Sequence, residues 1–270
     1  MGKYSEAAHC LAQSITLFEE LGKIQGLGTA FMRAGNLATA LGDYAGAIQN
    51  LRQAQSCFDE TRSALHIDFC RIYLGVAYRL QGNYRQAEQT SRAALATFQA
   101  MNNPIHEGFC LLNLGCLALE QGDLHQAEQL QREALERWQQ AGVEAWVADA
   151  ARCLGHLMVA TGEQRHAEAR QHFRQALELA TKHQMAPVAL DVCVGVARLL
   201  AYDSNLMQAV ELLALSEPHE ASTFETREKA RQLLVTLLAQ APPEAEQVAR
   251  SPGRQWDLWG AVQELLTTIL

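Results

Sequence analysis

Glycines recur along this chain at a fixed interval. Gly35, Gly75, Gly115, Gly155 and Gly195 are evenly spaced, and Gly42, Gly82, Gly122 and Gly162 repeat the same step, each a little after one of the first four. A period of about 40 residues marks a unit that cannot bury its apolar face alone and stacks on its neighbours. The core of such an array grows by addition, so 270 residues need not divide into globular domains, and function resides in extended surfaces.

One unit, read from Asp68, runs DFCRIYLGVAYRL, then QGNY, then RQAEQTSRAALATF. Apolar residues recur at intervals of three and four in both runs, which predicts two amphipathic helices with Gly82 and Asn83 as turn and cap between them. The phrase returns as LGDYAGAIQNLRQA at 41–54, QGNYRQAEQTSRAA at 81–94 and QGDLHQAEQLQREA at 121–134. At Gly75 and its equivalents a side chain would stand between the paired helices. Ala47, Ala87 and Ala127 allow the same close approach from the second helix, and Leu74, Leu114 and Leu154 are placed to fill the core of each pair. In the fourth unit Ala169 and Ala176 come two positions later than strict periodicity predicts.

This arrangement resembles the tetratricopeptide repeat (TPR). Leu74-Gly75 with Tyr78, Tyr84, Ala87 and Ala94, and Leu114-Gly115 with Ala127 and Ala134, match its pattern. The family's first-helix tryptophan is replaced by Phe31, Arg71 and Leu111, and the period exceeds the usual length of about 34, so the helices should be longer. The resemblance implies an all-α, right-handed solenoid of tandem helix hairpins, about five and a half long repeats, with a C-terminal helical cap. The expected divisions are a half repeat at 1–22, repeats at 23–62, 63–102, 103–142, 143–183 and 184–216, and a capping extension at 217–270.

The chain opens in mid-repeat: Gly2-Lys3-Tyr4 and Ala7 stand one full period before Gly42-Asp43-Tyr44 and Ala47, as in a piece of a longer repeat protein. Such an unpaired second helix is a surface for self-association. Four of the six prolines, Pro218, Pro242, Pro243 and Pro252, follow residue 216, where the array is expected to stop. The tail reads AVELLALSEPHEAS, then REKARQLL, then Gly253-Arg254 before AVQELL. It is similar to the end of the sensor arm in bacterial signal-transducing ATPases with tandem domains (STAND) and in large activators related to the maltose-regulon activator. That resemblance implies a sensor of a partner or inducer, although Trp256-Asp257-Leu258-Trp259 replaces the family's acidic helix start.

A formal net charge of -8 argues against nucleic-acid and anionic-membrane partners. Seven cysteines contain no C-x-x-C pair, which predicts reduced, buried thiols and neither zinc site nor disulfide framework. The N-terminus lacks the apolar region of a signal peptide, so the chain is placed in the cytoplasm. No phosphate-cradling G-x-x-x-x-G-K-[ST] loop occurs, and the glycines follow no strand. His166 and His172, six apart on a helix, point to different faces and are read as solvated. The expectation is a non-catalytic protein without cofactor or metal.

What remains is the face lined by the first helices. Projection places there Met32, Arg33 and Asn36; Phe69, Ile72, Tyr73, Val76 and Arg79; Phe109, Leu112, Asn113, Cys116 and Glu120; and Asp149, Arg152, Cys153 and His156. Apolar residues rimmed by polar ones fit a peptide or protein segment, with Asn36 and Asn113 offered to its backbone. The alternatives are a small-molecule inducer held on the same face and a self-associating architectural array. The chaperone-binding version of the fold grips a terminal carboxylate with lysines and asparagines on successive first helices; Asn36 sits at one matching position, but the lysines are absent, with Met32 in one such place, and Tyr73 stands where the second asparagine should be.

Overall fold

The computed structural model describes residues 2–250 and 257–268, with the side chains of residues 2, 3 and 250 left aside. The chain is all-α: among the described residues there is no strand. A lone helix α1 (Gly2–Glu20) is followed by five hairpins. These are α2 (Ile24–Leu41) with α3 (Tyr44–Glu60), α4 (Ala64–Leu80) with α5 (Tyr84–Ala100), α6 (Pro104–Glu120) with α7 (Leu124–Gln140), α8 (Glu144–Thr161) with α9 (His166–Lys182), and α10 (Ala186–Tyr202) with α11 (Leu206–Ser216). Three further helices close the chain: α12 (Phe224–Leu238), α13 (Glu244–Arg250) and α14 (Leu258–Thr268). Most hairpin helices hold 17 residues, which accounts for the long period.

Turn chemistry explains why the helices stop where they do. Gly82 takes φ +83°, and the Asn83 side chain then accepts a hydrogen bond from the backbone N–H of Gln86, as the sequence predicts. Asp43 and Asp123 cap α3 and α7 in the same way. The turns between hairpins use left-handed residues as well: Gly22, Arg62, Asn102, Gly142 and Gln184. The first four are evenly spaced, and the last step is longer by two positions because a single 3₁₀ turn at Glu163–Arg165 takes up the slip.

The slip corrects one equivalence. Gly35, Gly75, Gly115 and Gly155 each face the second helix of their own hairpin. A Cβ on them would meet Leu51 Cγ at 2.6 Å, Ser91 Oγ at 2.3 Å, Gln131 Cγ at 2.7 Å and Phe173 Cε1 at 2.4 Å. Counted from its own helix start Gly195 falls two positions early, and its Cβ would meet Phe173 Cζ of the preceding hairpin at 2.3 Å. Its spacing continues the series, but its reason is different: it makes room at the seam between repeats. Other seams solve the same contact with other pairs. Asn113 Nδ2 donates to Ser91 Oγ at 2.7 Å, and half-buried Tyr73 packs on the cluster that holds Leu51.

The chain forms two compact units, Met1–Arg137 and Trp138–Leu270. In the first, Ala47, Leu51, Ala54 and Phe58 of α3, and Ala87, Ala94 and Phe98 of α5, are fully buried. Leu74 and Leu114 are buried beside the glycines that follow them. In the second, Leu154, Phe173, Ala169, Ala176 and most of α10 are buried. There α12 packs on α10 and α11 as α6 packs on α4 and α5, taking the place of one more first helix. The helices α13 and α14 pack on α11 and on α9 with α10, respectively.

Two further expectations change. His166 is buried, its ring centroid 4.7 Å from that of Tyr202, because the 3₁₀ turn swings the start of α9 inward. Cys10 is exposed on α1, whereas Cys70, Cys110, Cys153 and Cys193 are buried. Burial pushes the Cys70, Cys110 and Cys193 thiols up to about 12, so they stay protonated and inert.

Candidate functional site

In the first unit the predicted face is carried by α2, α4 and α6. Arg33, Asn36 and Glu120 are exposed, and Phe69, Tyr73, Val76, Phe109, Leu112 and Cys116 are half-buried. Ile72, Arg79 and Asn113 are buried. Helix geometry explains the split, since positions one to three turns apart on a first helix share its outer side while their neighbours turn toward the next repeat.

The two phenylalanines are partly committed to packing. Phe69 stacks on Phe98 at 6.0 Å and lies 4.7 Å from His106, which itself stacks on Phe98 at 5.1 Å. His66 continues the row to Phe58 at 4.7 Å, and Phe109 lies 6.3 Å from His106. Burial lowers the His106 ring below its ordinary value, so it is neutral at pH 7. Phe69 and Phe109 are thus packed against neighbouring rings and only partly covered.

Arg79, Asn113 and Glu120 are engaged with one another. Arg79 Nε donates to Asn113 Oδ1 at 3.1 Å, Arg79 pairs with Glu120, and Asn113 donates to Ser91. The network ties α4, α5 and α6 together. Asn113 therefore does not present its amide to a peptide: both ends are taken by the seam between repeats.

In the second unit, Arg152 and His156 of α8 converge on a residue absent from the predicted face, Asp191 of α10, and Asp149 stands beside Arg152. Arg152 Nη1 donates to Asp191 Oδ2 at 2.6 Å and His156 Nε2 lies 2.9 Å from the same oxygen. Arg152 also donates to Asp149 at 3.2 Å. From α12, Thr226 Oγ1 donates to Asp191 Oδ1 at 3.3 Å, and Lys229 Nζ stands 3.7 Å from Asp191 and 2.7 Å from Glu225. Burial works to raise the Asp191 carboxyl, but Lys229, His156 and Arg152 outweigh it and hold it well below the ordinary carboxylate range. Burial lowers the His156 ring against the upward pull of Asp191, leaving it neutral and donating through Nε2. Asp191 is the counterpart of Asp149 in the next repeat once the slip of two is carried forward, and that correction was the signal that would have found it.

The two units therefore carry different chemistry at the same repeat positions. In the first the face is largely carbon; in the second it is a string of alternating charges that satisfy one another. The tail phrase Gly253-Arg254 and Trp256 lie outside the described residues.

Comparison with known proteins agrees with the fold. A tetratricopeptide-repeat family profile matches residues 68–140. No curated protein matches the sequence. Solved structures do. BtubC from P. vanneervenii is 18% identical, with 89% of this chain and 92% of that one covered at a TM-score of 0.57. The Rap conjugation gene regulator of the plasmid pLS20, solved in complex with the Phr* peptide, is 12% identical over 93% of this chain and 73% of its own, at 0.63. RapI in its apo form is 12% identical over 92% and 93%, at 0.58. The chain is TPR-like, and at these identities the likeness to solved structures is one of fold. Among the described residues no helix is long and apolar enough to cross a membrane.

Proposed function

We propose that the open face of α2, α4 and α6 binds a peptide or protein segment, making this chain a non-catalytic interaction scaffold or sensor module. The observation that carries this reading is the row of half-buried apolar side chains, Phe69, Val76, Phe109, Leu112 and Cys116, on neighbouring first helices. The peptide complex of the pLS20 Rap regulator supports a peptide ligand for a fold of this kind. A place in bacterial cytoplasmic signalling, with residues 1–216 as the array and 217–270 as its cap, is the setting that the sequence resemblance to sensor arms supports.

The test is capture from a lysate of the source cell by the native chain and by a Val76→Lys/Leu112→Lys variant. These two side chains are half-buried on the open side, so the variant should keep its helical circular dichroism. A polypeptide held by the native chain and lost from the folded variant is the expected result. Equal capture by both would place binding elsewhere.

Self-association through α1 is a second reading with its own observation. Ala47, Leu51, Ala54 and Phe58 are fully buried in α3, whereas their equivalents Ala7, Leu11, Ser14 and Phe18 in α1 are only half-buried. In this reading a helix from a second copy covers that side of α1.

A further inference from the structure

We infer that the segment bound by the first unit is an amphipathic α-helix with an acidic residue at the end that lies over α2; this rests on the open face being the binding site. An extended peptide brings unpaired backbone N–H and C=O groups to the surface it covers, and a groove that takes one supplies partners for them. Here the buried polar side chains of the face are spent. Asn113 is held by Arg79 and Ser91, and Arg79 by Asn113 and Glu120. What α4 and α6 offer beside them is the carbon of Val76, Phe109 and Leu112 and the ring of Tyr73, whose single hydroxyl is one polar group where an extended chain would need several. A helix satisfies its own backbone and needs only such carbon under its apolar stripe.

The polar side chains on the α2 side set the direction. Arg33 and Asn36 are three positions apart on α2 and both exposed, which puts a cation and an amide on one edge of the helix. A carboxylate matches that pair in charge and in hydrogen-bonding sense. Three first helices packed about 10 Å apart span roughly 20 Å, so about 14 residues of ligand helix cross the face.

The probe is a displayed library of random peptides about 16 residues long, enough for one helix across the face. Enriched sequences are synthesised and titrated against the full chain and two variants, Val76→Lys and Arg33→Glu. The inference expects apolar residues at spacings of three and four, an acidic residue at one end, and affinity lost about tenfold when a central residue becomes proline. It also expects Arg33→Glu to weaken these peptides about tenfold, with a peptide carrying lysine at its acidic position recovering the loss. Arg33 is exposed, so this exchange reads charge without touching the fold.

Peptides that tolerate the proline, show alternate spacing and still lose affinity in Val76→Lys would overturn the helix while keeping the face as the site. Peptides indifferent to Arg33→Glu would overturn the acidic end. Binding unaffected by Val76→Lys, or no enrichment at all, would overturn both the inference and the reading on which it rests.

Discussion

At the scale of single residues, the structure separates two kinds of glycine that look alike in sequence. Gly75 lies in the close approach of α4 to α5, where an added methyl would come within 2.3 Å of Ser91 Oγ and 2.9 Å of Asn113 Nδ2. Gly75→Ala should therefore cost about 1–3 kcal/mol in chemical denaturation, and Ser91→Ala in the same chain should return only part of it, because Asn113 then loses its partner. Gly195 resembles Gly75 by position, yet its neighbour is Phe173 of the hairpin before it. Periodicity revealed that a small residue was needed; it did not reveal which neighbour required it, since the turn at Glu163–Arg165 shifts the later elements. The turns themselves offer a cleaner test. Gln184 holds φ +54° where Gly22 and Gly142 serve the equivalent turns. A left-handed conformation penalises a side chain, so Gln184→Gly should stabilise the chain by about 0.5–1 kcal/mol, read as a raised denaturation midpoint. A lowered midpoint would mean that the Gln184 side chain, which donates to the Thr181 carbonyl at 2.8 Å, matters more than its backbone.

At the scale of elements, the second unit is fastened by charge. Asp191 accepts from α8 and α12 at once, so removing its charge leaves Arg152 with Asp149 alone and takes the shared carboxylate from His156 and Thr226. Asp191→Asn should cost about 3 kcal/mol, while Lys229→Met, at a third-exposed amine 3.7 Å away, should cost under about 1 kcal/mol. Acid should act on the same fastening. The lowered Asp191 carboxyl contributes stability that is present above the ordinary carboxylate range and lost as pH falls through its lowered folded value. His156 is lowered from 6.5, so its contribution is complete above 6.5 and declines as pH falls toward its folded value. Burial lowers His106 and His219 in the same direction. The thermal midpoint should thus fall from pH 7 to 5 and hold between pH 7 and 8, with His156→Gln removing part of the slope. An unchanged slope in that variant would assign the effect to the other histidines. Of this cluster the sequence exposed only the half on α8. Asp191 sits in an almost wholly apolar helix, and its partners on α12, Thr226 and Lys229, lie far downstream with no repeat phrase to mark them.

At the scale of the whole molecule, the hairpins were legible because periodic apolar residues and turn signals agree at every level, whereas the face was legible only in outline. Projection gathered exposed, half-buried and buried residues of the first helices without distinction, and it could not tell half-buried Val76 from Asn113, whose amide is consumed by Ser91 on the preceding hairpin. The half-buried side of α1 bears on the state of assembly. If it joins two copies, deleting residues 1–21 should convert a dimer to a monomer in sedimentation without loss of helicity per remaining residue. A dimer that persists would exclude α1 as the contact.

At the seams between consecutive hairpins, Ser91 with Asn113 is a polar pair, Phe173 with Gly195 a large residue against none, and Tyr73 on the cluster that holds Leu51 a third solution. A hairpin moved to another place would set Asn113 against Leu51, or Phe173 against a full side chain. Although these hairpins share one plan, they are not interchangeable: each of these three boundaries admits its own neighbour, a set of keyed joints that fixes which hairpin follows which.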